Sequence, residues 1–239
     1  MATNVPERSK PQLDSTTLAM MFADARLPVG GHVTSSGLEP ALRAGLAKRL
    51  VPEYMLSRAG SVSLVEAGVA VMARRIALSC DGLALSREIE TLEEAWAART
   101  PSQELRNVSR SLARGYLRLA GHLWPDDQAI ALCNSKASNT SRSVAIGVIA
   151  AVAGLDAQSL VRLSIYDDAQ TIASAMLKLE PLDPTITIGW VMDSCLSVEP
   201  VVGSLSQISN IDAIPASGAP QIEEWAELHS LTTKRLFRG

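Results

Sequence analysis

The chain has 239 residues, 47% hydrophobic but only 4% aromatic, with a formal net charge of −3. That length fits one large domain burying roughly 70–75% of its unfolded surface, which needs no metal or disulfide staple. The acidic balance, with an isoelectric point near 5.7, argues against a surface built to coat nucleic acid.

Residues 1–16 carry Glu7 and Asp14 and no apolar run. They read as a flexible leader rather than a secretory or transit signal. A single all-α globular domain of about eight to eleven helices is expected over 17–239. Its first helix begins near Ser15 to Thr17, with Leu18, Met21, Phe22 and Ala25 on one face. The stretch LPVGGHVTSSGLE at 27–39 then interrupts the helical pattern, since Pro28, Gly30 and Gly31 break any helix. Ser36 to Glu39 has the spacing of a capping box, the serine accepting an amide while the glutamate reaches back. Pro52 opens a helical stretch to about Cys80, with Gly60 and Gly68 as breaks or close contacts. Another helix covers 85–99 and stops at Thr100-Pro101.

From Pro101 to His122, the residues Leu105, Val108, Leu112, Tyr116, Leu119 and Leu123 recur at spacings of three and four, one stripe of an amphipathic helix. Val144 to Ala153 is apolar on all sides, the pattern of a buried central helix. Gly154 ends it, and Asp156 caps a long helix to Leu179. Asp183-Pro184 repeats the start signal for a helix to about Leu205. Residues 209–219 read as a surface loop, and a last helix runs from Pro220 to about Leu231. The longest apolar run falls well short of the ~20 residues of a spanning helix. A cytoplasmic protein without membrane or nucleic-acid partners is expected.

Chemistry-bearing patterns are sparse. His32, His122 and His229 are widely separated, and no HExxH, Walker, GxGxxG or GxSxG motif occurs, so no catalytic or metal-ligating residue is assigned. Gly30-Gly31 with Ser35 and Ser36 could hold an anion on free amides or form a locally satisfied turn. Asp167-Asp168 point about 100° apart on a helix and read as solvated or capping acids, as do Glu93-Glu94. Cys133 and Cys195 read as core residues, and the odd set with Cys80 suggests a reducing compartment. Arg106, Arg110, Arg114 and Arg118 recur every four residues without a neighbouring acid. They form either a solvent face or a dock for an acidic partner. The tail LHSLTTKRLFRG sets Leu236 and Phe237 between Arg235 and Arg238, an apolar pair that calls for a contact.

Four segments together resemble the urease accessory protein UreF family: LPVGGHVTSSGLE (27–39), SRSLARGYLRLA (109–120), VAIGVIAAVAGL (144–155) and HSLTTKRLFRG (229–239). Their order and spacing agree with the family over most of the chain beyond residue 17. Departures from its pattern are His32 and Thr34, where aromatics are common, Arg142, where a histidine often stands, and Thr233. The resemblance implies an all-α, non-enzymatic scaffold for nickel insertion into apo-urease. Such a scaffold binds the accessory protein UreD (UreH), dimerises and recruits the GTPase UreG, with nickel handled by the complex and no cofactor of its own. It also implies partner-facing residues at Pro28, Gly30, Gly31, His32, Ser35, Gly37 and Glu39, and at His229, Arg235, Leu236, Phe237 and Arg238. Arg110, Arg114 and Arg118 join them by position. Two alternatives stand beside this reading: a helical adaptor unrelated to urease, and a divalent-metal helical enzyme using Asp167, Asp168 and a histidine.

Overall fold

The computed structural model describes residues 13–230 and 236–237, apart from the side chains of residues 32, 229 and 230. Among the described residues there are eleven α-helices and no strand, the all-α architecture expected. Helix α1 spans Ser15–Phe22, with the Asp14 carboxylate accepting from the Thr16 amide, so helix begins inside the stretch read as leader. Helix α2 is Leu38–Arg43, α3 Val51–Ala59, α4 Val62–Ser79, α5 Gly82–Arg99 and α6 Gln103–Leu123. Helix α7 is Gln128–Ser135, α8 Arg142–Ala153, α9 Ala157–Leu179, α10 Pro184–Leu205 and α11 Pro220–Ser230.

The apolar α8 lies at the centre, as its composition requires, packed along α4. Small residues set how closely the two approach. A Cβ on Gly147 would stand 2.2 Å from the Ala70 carbonyl oxygen, so only glycine fits there. The break between α3 and α4 falls at Gly60-Ser61, whereas Gly68 lies inside α4 and serves as a close contact with Pro215. Long α9 crosses α4 and carries α10 on its other side, while α6 covers α8. Asp156 and Asp183 cap α9 and α10 as expected, accepting from Ser159 and Thr185 amides.

Helix α6 is turned from its expected register. Its buried residues are Ala113, Tyr116, Leu117 and Ala120, while Leu105, Val108, Leu112 and Leu119 are half-buried and Leu123 is exposed. A stripe drawn through large side chains misses the alanine face that allows the closest approach to a neighbouring backbone. Cys133 is buried, as expected, and burial pushes its thiol up to about 12. Cys195 is half-buried against two apolar clusters. No helix among the described residues is long and apolar enough to cross a membrane.

Candidate functional site

The irregular corner at 27–39 is fixed between α6 and the chain's last described residues. Val29 lies on α6 at Gly115, where a Cβ would stand 2.3 Å from the Val29 carbonyl oxygen. One turn later Arg118 donates from Nη2 to the Pro28 carbonyl at 3.2 Å. Gly30 takes φ +87°, a left-handed conformation that glycine adopts without strain. Ser36 and Gly37 follow with φ +48° and +81°. The Ser36 amide donates to Thr34 Oγ1 at 3.2 Å, and the Tyr54 hydroxyl donates to the Ser36 carbonyl at 2.7 Å. Gly37 is required a second time, because a Cβ there would stand 2.8 Å from the Tyr54 hydroxyl.

The capping box expected from Ser36 to Glu39 is replaced by another arrangement. Ser35, fully buried, accepts the Glu39 amide on Oγ at 3.2 Å. Glu39 does not reach back over its own helix. Its buried carboxylate accepts the Leu236 amide at 2.9 and 3.1 Å and the Phe237 amide at 2.8 Å, and pairs with Arg43 at 2.8 Å. With Ser36 and Gly37 left-handed at the α2 entrance, that carboxylate meets the tail rather than its own helix start. Phe237 is buried among α2, α3, α9 and α11, with Lys178 Nζ 5.4 Å from its ring centroid. Leu236 beside it is 61% exposed.

Behind the corner lies a layer of buried and half-buried charge. Asp168 accepts from Arg58 at 2.8 and 3.1 Å and from Ser63 at 2.6 Å. Asp167 pairs with Arg142 across α8 and α9. Glu66 accepts from Trp96 Nε1 at 2.8 Å and from the Ser143 hydroxyl. Glu93 accepts the Ser141 amide at 2.7 Å and its hydroxyl at 3.1 Å, at the start of α8. Burial pushes the Glu93 carboxyl up to about 7 against those two hydrogen bonds. For Asp168, burial acts upward too, but the Arg58 charge and the hydrogen bonds from Arg58 and Ser63 leave it below the ordinary carboxylate range. Burial likewise raises the Tyr54 hydroxyl to about 12. Two small cavities flank Arg142, one of about 70 Å³ between the corner, α6 and α9, the other of about 60 Å³ between the corner, α3, α4 and α6.

The UreF family model matches residues 49–192. The chain belongs to the UreF family. It is 38% identical over 174 residues to the urease accessory protein UreF of Mycobacterium marinum (strain ATCC BAA-535 / M), covering 71% of this chain and 76% of that one. It is 30% identical over 227 residues to the UreF of Mycobacterium sp. (strain JLS), covering 94% and 99%. Against the UreF of Mycobacterium tuberculosis (strain ATCC 25618 / H37Rv) the identity is 28% over 232 residues, again 94% and 99%.

In this UreF chain the site residues expected from sequence divide by depth. Pro28 is exposed and Gly30 and Gly31 are half-buried with open space beside them, so the close backbone approaches are at Gly37 and Gly115 instead. Ser35, Gly37 and Glu39 are buried and shape the corner from within. Of the arginine row, only Arg114 and Arg118 are exposed, and Arg118 holds the corner. Arg110 is corrected from the outer face: its guanidinium lies 5.9 Å from the Trp96 ring centroid, near Glu93. Arg106 donates to the Thr100 and Pro101 carbonyls and to Gln103. The side chains of His32 and His229, and Arg235 and Arg238 entirely, lie outside the described residues.

Asp168 is corrected from a solvated or capping acid to a buried acceptor, and Asp167 and Glu93 to half-buried acceptors. Each aspartate already holds a guanidinium, which is poorly suited to a divalent cation. Among the described residues no group of three His, Cys, Asp or Glu side chains could hold a metal ion. Sequence reasoning missed Arg58, Tyr54 and Gly115, and met Arg142 only as a departure from the family pattern. Only Gly115 left a trace, as the small residue beside the arginines of the SRSLARGYLRLA segment.

Proposed function

We propose that this chain serves urease maturation as a non-enzymatic scaffold. It joins the accessory protein UreD (UreH) and the GTPase UreG, so that GTP hydrolysis is coupled to delivery of nickel into apo-urease. It works in the cytoplasm as a homodimer, and nickel is cargo of the assembly rather than a resident cofactor. The observation that carries this reading is the Glu39 carboxylate bonded to the Leu236 and Phe237 amides. It joins the corner and the tail, the two elements implied as partner-facing, into one continuous surface. That surface offers shaped backbone at Pro28 to Gly31 and the exposed Leu236, with Arg114 nearby on α6 for an acidic partner. The buried ion pairs support the same reading, because they hold the frame rigid and leave the carboxylates engaged.

The decisive experiment mixes the full chain with its cognate UreD, UreG and apo-urease, nickel and GTP. Co-elution of the three accessory proteins and GTP-dependent urease activity are expected. Separate elution at micromolar concentration, with no activation, sinks the reading. Removing residues 229–239 is expected to weaken the assembly while leaving the helical circular dichroism in place.

A further inference from the structure

Glu93 of α5 and Arg110 of α6 lie close together at the start of α8 without being paired. Glu93 uses Oε1 to accept the Ser141 amide and hydroxyl, which fixes the entrance to α8. Its Oε2 is closed off from solvent and finds no hydrogen-bond partner among the described residues. The Nε of Arg110 is in the same condition. Arg110 is near enough for its charge to act on the Glu93 carboxyl. Its guanidinium nevertheless lies 5.9 Å from the Trp96 ring centroid, a face that attracts cations more weakly than a carboxylate does. Unpartnered buried polar atoms are rare, so an orphaned acceptor and an orphaned donor in one neighbourhood call for a reason.

The surrounding charges supply one. From α4, Glu66 acts on Glu93 as a second carboxylate, itself held by Trp96 Nε1 and the Ser143 hydroxyl. From α7, the buried Cys133 thiol is pushed up to about 12 and stays neutral, while Lys136 is paired with Glu90. Arg142 of α8 is paired with Asp167, and Arg58 of α3 with Asp168. Arg106 of α6 donates to the Thr100 and Pro101 carbonyls, and Glu94 on Glu93's own helix is exposed. The charges acting most on Glu93 are thus one guanidinium and one further carboxylate, a cation short of balance. A proton on Glu93 makes up the difference. Oε2 then lacks only an acceptor for a neutral hydroxyl, which is far less costly than an enclosed charge without a partner. Burial pushes this carboxyl up to about 7, so the proton is exchanged in the neutral range.

We infer that Glu93 and Arg110 form a proton-operated latch at the junction of α5, α6 and α8. With Glu93 protonated, the guanidinium rests on Trp96, as in this structure. When the carboxyl gives its proton to solvent, Oε2 accepts the Arg110 Nε–H in a charge-assisted hydrogen bond and the guanidinium leaves the ring. The latch belongs to the chain alone and stands apart from the scaffold reading. Nuclear magnetic resonance on the isotope-labelled full chain tests it, titrated from pH 5 to 9. The two signals followed are the Glu93 carboxyl carbon and the Arg110 Nε–H. The expected result is that both move together with a midpoint at about 7, the Nε–H downfield, while the helical circular dichroism stays constant. In Glu93→Gln, which cannot ionise, the Arg110 signal should hold its low-pH position throughout. In Arg110→Met, the Glu93 midpoint should rise by about one pH unit, a tenfold gain in proton affinity, because the ionised carboxylate has lost its partner. An Arg110 signal that stays still while Glu93 titrates, or that moves equally in Glu93→Gln, overturns the latch. So does a Glu93 midpoint unchanged in Arg110→Met, a midpoint at the ordinary 4.5 in the wild type, or a movement accompanied by loss of the helical signal.

Discussion

Gly147 and Gly115 do the same steric task in two regions that are held together differently. At the α4–α8 seam, Gly147 admits the Ala70 carbonyl amid buried alanines and valines shared by the whole core. At the corner, Gly115 admits the Val29 carbonyl, the Val29 side chain joins that same apolar core, and the rest of the corner is held by a handful of polar contacts from Arg118, Tyr54, Ser35 and Glu39. Apolar packing at the seam is collective, so a fault there spreads. The corner hangs on separable bonds, so a fault there stays local. The docking role proposed for the corner would benefit from the second construction, because it can be adjusted without melting the frame.

The seam gives the largest expected effect. Gly147→Ala pushes a methyl into the Ala70 carbonyl, and overpacking against rigid backbone should lower stability by at least ~3 kcal/mol. Thermal unfolding followed by circular dichroism should show a fall of about 10 °C. A shift under 2 °C would mean the seam yields as readily as the corner.

Next comes the carboxylate that caps the seam. Glu93 binds its proton more tightly folded, at about 7, than at its ordinary 4.5. Its protonated form is therefore favoured by folding, and stability is full below pH 4.5 and lost as pH rises through 7. The shift corresponds to ~3 kcal/mol across that window. Denaturant titrations at pH 5 and 8 should show the wild type weaker at pH 8, with the difference largely gone in Glu93→Gln. An unchanged difference would remove Glu93 as its source.

Glu39→Ala deprives two tail amides of a charged acceptor and should loosen the tail by about 2 kcal/mol. Faster hydrogen exchange at Leu236 and Phe237, with the helical signal intact, is the expected outcome. Global unfolding would show that the corner is as collective as the seam. Gly115→Ala should have the smallest effect on stability, below ~1 kcal/mol, because the corner shifts rather than the core. It should nevertheless abolish co-elution with UreD and UreG. Retained co-elution would separate the corner's shape from docking.

Much of the frame was legible because helix signals are local. Asp156 and Asp183 mark helix starts by carboxylates that accept amides within three residues, Gly154 ends α8 by its left-handed backbone, and α8 declares its burial by being apolar all round. The candidate site was legible only in its backbone breakers. Ser36 to Glu39 matched a local capping pattern, but the glutamate's partners lie some two hundred residues away, where spacing carries no signal. The same holds for Arg58 with Asp168 and Arg142 with Asp167. Charged residues at such positions look like solvated ones until the fold encloses them. Arg110 misled for a related reason: a wheel places it opposite the large apolar residues, yet α5 supplies Trp96 on that side.

The bond between Glu39 and the amides of Leu236 and Phe237 also bears on biosynthesis. The carboxylate leaves the ribosome early, and the amides that donate to it emerge 197 and 198 residues later. A nascent polypeptide therefore carries an unfinished corner until residues 236 and 237 have been made.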